Sequence, residues 1–501
     1  MRLTLTVLLC FLTVFSFGQS YYQCQPCGLD CDTLAFEEPG ECPHCHMRLY
    51  LNPDILPPVT LPALREYEGT YEYVRESTLD LVASGFDTLL YALIDGAKYP
   101  LYRVAPDTFL DGQNNRVIFQ RTASGTVTGY QVNGAQYLLL DSIPPGIPFF
   151  PKKEWYDKPE DYSIRIPDNR GDGLATGQFR EAFANPTLIR KMVREVIAGT
   201  YPEVHSILII KDNQLVLEEY FYGYGPDSLH QLRSATKPII GAQVGLAIEH
   251  GFIGKVDDPL LPYFSEAYGT IRHLDDLKRS ITIADMLTYQ HGMDCQNNNL
   301  ESAGNEMTMM ASPDWVKHTL DLPMVRQPGE VAEYCSGCPQ VIGRLVELTA
   351  GKELEAFAKK YFFDPLGITN YHWRFDPDPS SANTFNQLYL TPRHLAKIGM
   401  MYLNGGTWQG KQILPAKWVD KTFTPTGDAY GFFWEHVSIK VGDQTHRAYL
   451  ASGNGGQKIH IWPDLNMITI FTGGNYNSYQ LYGKSTPPNE LIPRFILPAL
   501  R

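Results

Sequence analysis

The chain is short of basic residues, of long apolar runs and of several familiar catalytic signatures, and each shortage removes a class of function. Lys and Arg number 42 against 55 Asp and Glu, a net charge of -13 over 501 residues. Nucleic-acid binders cluster positive charge, so this balance argues against DNA or RNA as a partner. Beyond the amino terminus no stretch of 18 uninterrupted apolar residues occurs, short of the roughly 20 needed to cross a bilayer. There is no G-x-S-x-G elbow and no H-E-x-x-H pair. No repeat and no low-complexity tract is present. The glycine-rich "GDGLATG" near residue 171 lacks the strand–helix setting of a nucleotide site. Packing material is not scarce: 30 Tyr, 24 Phe and 7 Trp argue against disorder. The length suits one large domain with one or two smaller modules.

The first 18 residues read as a secretory signal. Arg2 gives the positive start, Leu3 to Phe17 the apolar run, and Ser16 and Gly18 the small residues before a cut at Gln19. The apolar run is too short for a membrane anchor. The expected location is therefore periplasmic or secreted. Cys10 is lost with the leader.

Residues 19–52 carry "YYQCQPCGLDCDTLAFEEPGECPHCHMRLY". Cys24 and Cys27 form one C-x2-C pair and Cys42 and Cys45 a second, which is zinc-ribbon spacing: two turns each offer two thiolates to a tetrahedral ion. The ending "PGECPHCHM" resembles small heavy-metal-binding modules, which implies a structural zinc or other heavy metal. Disulfides are the competing reading, since an exported chain meets an oxidising compartment. Cys31, His44 and His46 are further ligand candidates. Four protein ligands leave no open position for catalysis.

A Pro-rich joint leads to residues 60–142. Short segments such as "EGTYEYV", "TLLYALI" and "NRVIFQRT" are rich in β-branched and aromatic residues and broken by Gly, Asp and Asn, which predicts an antiparallel meander or small barrel. This stretch resembles lipocalin-like modules that accompany some secreted serine hydrolases. A second Pro-rich stretch, 143–165, reads as a linker. From 166 to 501 the pattern mixes strands at both ends with helices between, an α+β domain whose terminal strands share one sheet. "SILIIKDNQLVLEEYF" reads as a hairpin turning at "KDNQ".

Within that domain "LHQLRSATKPIIG" sets Ser234 three residues before Lys237, and Pro238 places a helix start at about Ser234. Ile240, Val244, Ala247 and Ile248 recur at helical spacing, Gly241 and Gly245 allow close approach, and Gly251 fits a stop. Residues three apart share a helix face, so the Lys237 amine can reach the Ser234 hydroxyl. A buried lysine whose pKa is lowered can take a serine proton, and a helix N-terminus favours negative charge on a substrate. The pair alone is weak evidence, because an N-cap serine with an exposed lysine has the same spacing.

Two later stretches strengthen it: "AEYCSGCPQVIG", with Tyr334 and Ser336 ahead of another helix, and "YLASGNGGQKIHIWPD", a Gly-rich turn before a strand. In order and spacing the three resemble the signatures of the serine β-lactamase and penicillin-binding protein superfamily, above all its class C-like branch. The resemblance covers residues 190 to 501. It implies the β-lactamase-like fold, an antiparallel sheet flanked by helices with a helical subdomain, and acyl transfer through Ser234, with Lys237 and Tyr334 moving protons. It also implies an oxyanion site from the backbone N–H of Ser234 and Asn454 at the end of the Ala451-Ser452-Gly453 segment, with Ser336 on Lys237 or the substrate. No cofactor is implied for the chemistry.

The departures bear on substrate. Ala451 stands where β-lactamases of the superfamily hold a cation for the penicillin carboxylate, and Ser336 replaces an asparagine. An ester, amide or peptide without that carboxylate is the expected small-molecule substrate. A weak β-lactamase, a D-alanyl carboxypeptidase or a D-aminopeptidase is the alternative, and a silent binding scaffold another. The resemblance also brings Cys295, Cys335 and Cys338 to the site's rim, implying a Cys295–Cys335 disulfide and an odd thiol. A second zinc site there lacks a placed fourth ligand. His230, four residues before Ser234, reads as structural or cleft-lining.

Overall fold

The computed structural model describes residues 22–24, 31, 34–38, 40–44, 49–52, 56, 58–73, 78–94, 97–112, 114–142, 148–297, 299, 301–373, 388–424, 430–476 and 485–500. They form two compact units, Met1–Ile147 with Asn477–Ser485, and Pro148–Tyr476 with Thr486–Arg501. Among the described residues no helix is long and apolar enough to cross a membrane.

The first unit opens with a three-stranded sheet in which Tyr22–Cys24 lies between Ala35–Phe36 and Leu49–Leu51. The predicted leader lies outside the described residues. The meander expected over 60–142 is an eight-stranded antiparallel barrel in chain order, closed by pairing of Ala135–Asp141 with Gly69–Glu72. Alternation of side chains puts Tyr71, Leu81, Leu90, Phe109, Phe119 and Tyr130 inside, with Tyr67 capping the cluster edge-on to Phe109 at 5.0 Å. Closure leaves the barrel no unpaired edge.

The second unit is built on an eight-stranded sheet. Its strands are β1 (Ala175–Thr176), β2 (Val204–Lys211), β3 (Gln214–Tyr220), β4 (Tyr430–Gly431), β5 (Trp434–Val441), β6 (Gln444–Gly453), β7 (Gln457–Trp462) and β8 (Met467–Gly473). The order is β1-β3-β2-β8-β7-β6-β5-β4, antiparallel except for the β1–β3 pair. Strands from the two ends of the domain thus pair directly, Ile209 opposite Thr469. The β2–β3 turn falls at Asp212 and Asn213, both with positive φ (50° and 61°), the conformation a tight hairpin requires.

Strands β2 and β8 are apolar along most of their length, and β7 is buried throughout, because both faces are covered. On one face Ile207, Ile209 and Phe471 pack with α1 (Pro186–Ile197) and the carboxy-terminal helical turns. On the other, Leu208, Ile210, Ile468 and Ile470 meet α2 (Lys237–Glu249), α3 (Gly337–Ala350) and α4 (Pro392–Leu403). From Pro148 onward the stretch expected as a linker joins this unit. Trp155, Tyr162 and Ile164 pack on the first face, and Tyr162 and Lys152 both hold the buried Glu219 carboxylate, at 2.7 and 3.1 Å. Proline content suggested a joint, whereas its aromatic residues decide the packing.

Helix α2 is buried on nearly every side, as its all-round apolar sequence demands. Gly245 is what lets it in: a Cβ there would lie 2.5 Å from the Trp418 ring. In an exposed helix Gly→Ala stabilises by about 1 kcal/mol. Here overpacking reverses the sign, and Gly245→Ala is expected to destabilise the unit by about 1–3 kcal/mol. Thermal unfolding checks it; an unchanged or raised midpoint would refute the contact.

Candidate active site

Ser234 sits in a 3-10 turn, Arg233–Thr236, and α2 starts three residues after it, at Lys237, with Pro238 in its first turn. Arg233 holds φ at 51°, a left-handed backbone costly for a side-chain-bearing residue. The sharp turn leaves the Ser234 side chain partly exposed while Lys237 is only 2% exposed.

Tyr334 arrives from the segment ahead of α3, and three polar atoms meet. The Lys237 Nζ donates to Ser234 Oγ at 2.6 Å and to the Tyr334 hydroxyl at 2.7 Å, and that hydroxyl donates to Ser234 Oγ at 2.9 Å. The amine also lies 5.0 Å from the centre of the Tyr334 ring. Burial strips water from the ammonium and lowers the Lys237 pKa to about 8, against the opposing pull of Glu306 and Glu435. The Tyr334 phenol moves up, chiefly by burial, and the Ser234 hydrogen bond moderates the shift. At neutral pH the amine is therefore the group within reach of its deprotonated form.

An aromatic wall steadies the phenol. The buried Tyr289 ring lies 5.1 Å from Tyr334, 4.9 Å from Tyr430 and 5.1 Å from Phe433. A Cys295–Cys335 disulfide, the pairing the resemblance implied, ties the residue after Tyr334 to the loop before Gln296.

The third segment ends β6 beside the nucleophile turn. A Cβ on Gly453 would fall 2.0 Å from the Leu232 carbonyl oxygen and 3.1 Å from the Ala235 nitrogen, so only glycine permits this approach. Asn454 follows directly. Ala451 faces the helical core, whereas Ser452 accepts from the buried Lys458 Nζ of β7 at 2.9 Å. A cation thus stands beside the third segment, supplied by the neighbouring strand. Burial lowers the Lys458 pKa and Glu435 counters it; burial raises the Glu435 pKa, with Lys458 and Lys237 opposing.

Ser336 is placed differently from expectation. Its hydroxyl donates to Glu306 Oε1 at 2.9 Å and accepts from Asn297 Nδ2 at 2.7 Å, while its amide donates to Asn297 Oδ1 at 2.7 Å. Standing ahead of α3 and 1% exposed, it bonds to Asn297 and Glu306. Its role is to anchor the Tyr334 segment. Asn297, Glu306, Tyr289, Glu435 and Lys458 carried no local signal; only the pairing of distant segments brings them in. His230 is buried, its Nε2 3.2 Å from His205 Nδ1, and it belongs to a packed histidine–tyrosine stack.

Of the expected metal ligands, Cys24 and Cys42 are described, and Cys27, Cys45 and the candidate His46 lie outside the described residues. Cys24, Cys42 and Cys31 are buried with their sulfurs within 4.8 Å of one another; His44 is exposed.

A model of the Beta-lactamase family matches residues 189–476, more than half of the chain. The 6-aminohexanoate-dimer hydrolase of Paenarthrobacter ureafaciens is 25% identical over 236 residues, 43% of this chain and 56% of that protein, so the match spans little more than half of this curated relative. Among solved structures, a family VIII carboxylesterase shares the fold with a TM-score of 0.51 at 15% identity, over 67% of this chain and 100% of that one. A β-lactamase candidate from Bacteroides dorei DSM 17855 gives 0.50 at 18% identity, over 62% and 99%. With its serine, lysine and tyrosine converging at the head of a buried helix, the chain belongs to the β-lactamase family of serine hydrolases.

Proposed function

We propose that the protein is an exported hydrolase that cleaves an ester or amide through an acyl-enzyme on Ser234. The observation that carries this reading is the closed triangle of Ser234, Lys237 and Tyr334, with sides of 2.6, 2.7 and 2.9 Å around a buried amine. Neutral Lys237 draws the proton from Ser234, directly or by way of the Tyr334 hydroxyl, as Oγ attacks the carbonyl carbon. The backbone N–H groups of Ser234 and Asn454 receive the oxyanion. Tyr334 passes the proton to the leaving group, and a water reverses the sequence to release the acyl chain. Ala451 supplies no cation at its own position for a penicillin carboxylate, and the neighbouring Lys458 donates to Ser452. This favours esters and amides without a carboxylate beside the scissile bond, in keeping with a relative that is a 6-aminohexanoate-dimer hydrolase.

The amino-terminal module is proposed to hold one structural zinc. The supporting observation is the convergence of the buried Cys24 and Cys42 sulfurs, one from each C-x2-C pair, with the extra candidate Cys31 beside them; Cys27 and Cys45 complete the proposed set of four thiolates. The ion would fix the small sheet and take no part in the chemistry.

Exposure to a fluorophosphonate is expected to add one adduct to the intact protein and none to Ser234→Ala; no adduct on the natural chain, or an equal one on the variant, would end the acyl-enzyme reading. Lys237→Met and Tyr334→Phe are each expected to lower kcat/KM for a p-nitrophenyl ester by about 10²–10⁴-fold with the fold intact. A loss below about 10-fold in both would contradict proton transfer through these groups. Metal analysis of protein purified from the exported fraction is expected to find one zinc per chain, lost in Cys24→Ser. Disulfides with no metal would overturn the module's assignment.

A further inference from the structure

Behind the Tyr334 segment lies a second cluster of soft donors. His291 and Cys295 stand in an H-x3-C arrangement, and Cys335 and Cys338 in C-x2-C just ahead of and within the first turn of α3. One donor atom from each of His291, Cys335 and Cys338 lies within 4.8 Å of the others, and Cys295 is bonded to Cys335. All four residues are at most 1% exposed. The His291 Nδ1 accepts from the Met293 amide at 3.0 Å. Its Nε2 is buried with no side-chain partner, and the Glu333 backbone carbonyl is its polar neighbour. A buried imidazole beside a thiol and a disulfide is a polar group that the catalytic triangle leaves unexplained.

We propose that His291, Cys295, Cys335 and Cys338 form a four-ligand site for zinc or a similar thiophilic divalent ion when the disulfide is reduced. Three thiolates and one imidazole are a structural zinc donor set, and C-x2-C paired with a second two-ligand segment is the spacing such sites use. In a tetrahedral site with Zn–S bonds of about 2.3 Å, donor atoms sit about 3.8 Å apart, so His291, Cys335 and Cys338 are already close to the spacing needed, and Cys295 is brought to the ion as its bond to Cys335 opens. The chemistry balances. A dithiol reductant closes its own disulfide and delivers two electrons and two protons to the Cys295 and Cys335 sulfurs. Uptake of the ion then releases three protons, from Cys295, Cys335 and Cys338, while the neutral His291 ring shifts its own proton from Nε2 to Nδ1, gives up the Met293 bond and binds through Nε2. The ion joins the same two segments as the disulfide does, so Tyr334, adjacent to Cys335, is held in either redox state. Full burial means that the ion enters as the reduced chain folds.

The test uses full-length protein, reduced with a phosphine, unfolded, and refolded with Co²⁺, beside a sample whose Cys295–Cys335 bond is re-formed before cobalt is added. The reduced sample is expected to bind one equivalent more, with the thiolate-to-cobalt charge transfer and tetrahedral d–d absorption of a thiolate-rich site. That extra equivalent is expected to vanish in His291→Ala and in Cys338→Ser while the amino-terminal equivalent stays. Should either variant fail to fold, peptide mapping of the natural chain decides: cobalt is expected to protect Cys295, Cys335 and Cys338 from alkylation. Equal binding by the reduced and oxidised samples, an extra equivalent that survives both substitutions, or alkylation of these three cysteines unaffected by cobalt would overturn the proposal.

Discussion

The constraint on which the site depends is the burial of one amine. Lys237 is removed from water and, among the described residues, hydrogen-bonds a hydroxyl and a phenol, so its charged form is penalised and its pKa falls to about 8. An exposed lysine at the same spacing would remain an ammonium and could take no proton from a serine. The 501-residue chain therefore has to enclose that nitrogen without surrounding it by carboxylates at contact distance. Glu306 and Glu435 act on it from beyond hydrogen-bond reach, and Glu306 is occupied by Ser336.

Each layer of the fold serves that enclosure. The apolar sheet and the surrounding helices make α2 a central helix, which fixes Lys237 inside and leaves Ser234 at its mouth. Gly453 lets the end of β6 lie against the Leu232–Ala235 turn, so two backbones meet where a side chain would separate them. Tyr334 is held three ways: by the ring of Tyr289, by the Cys335 linkage to Cys295, and by Ser336 through Asn297 and Glu306. A buried polar network of this kind specifies one arrangement because every unmet partner is costly.

What the sequence made legible was local or ordered along the chain. Ser234 and Lys237 announced themselves through spacing and the proline that follows, and the hairpin at Asp212–Asn213 through its turn residues. The barrel strands showed in β-branched and aromatic segments broken by turn-forming residues, and the joined terminal strands in the placing of strands at both ends of the domain. What stayed hidden depended on register and long-range pairing. Lys458 comes to Ser452 only because β7 pairs with β6 at that residue. Ser336 turns to Asn297 because a loop 39 positions earlier packs there. His291 joins the cysteine cluster by packing alone, a contact that its sequence position does not declare. Residues 148–165 looked like a joint by proline content, and Trp155 and Tyr162 overruled it.

The central claim is that Lys237 acts as a neutral amine. The most direct measurement is the pH dependence of single-turnover acylation of Ser234 by a p-nitrophenyl ester. Because burial depresses the lysine pKa, the reactive form grows as pH rises, and the rate should climb to a plateau with an inflection near the Lys237 value of about 8. A rate that rises only toward 10.5, the ordinary lysine value, or that is flat across this interval, would mean the amine is not the proton acceptor.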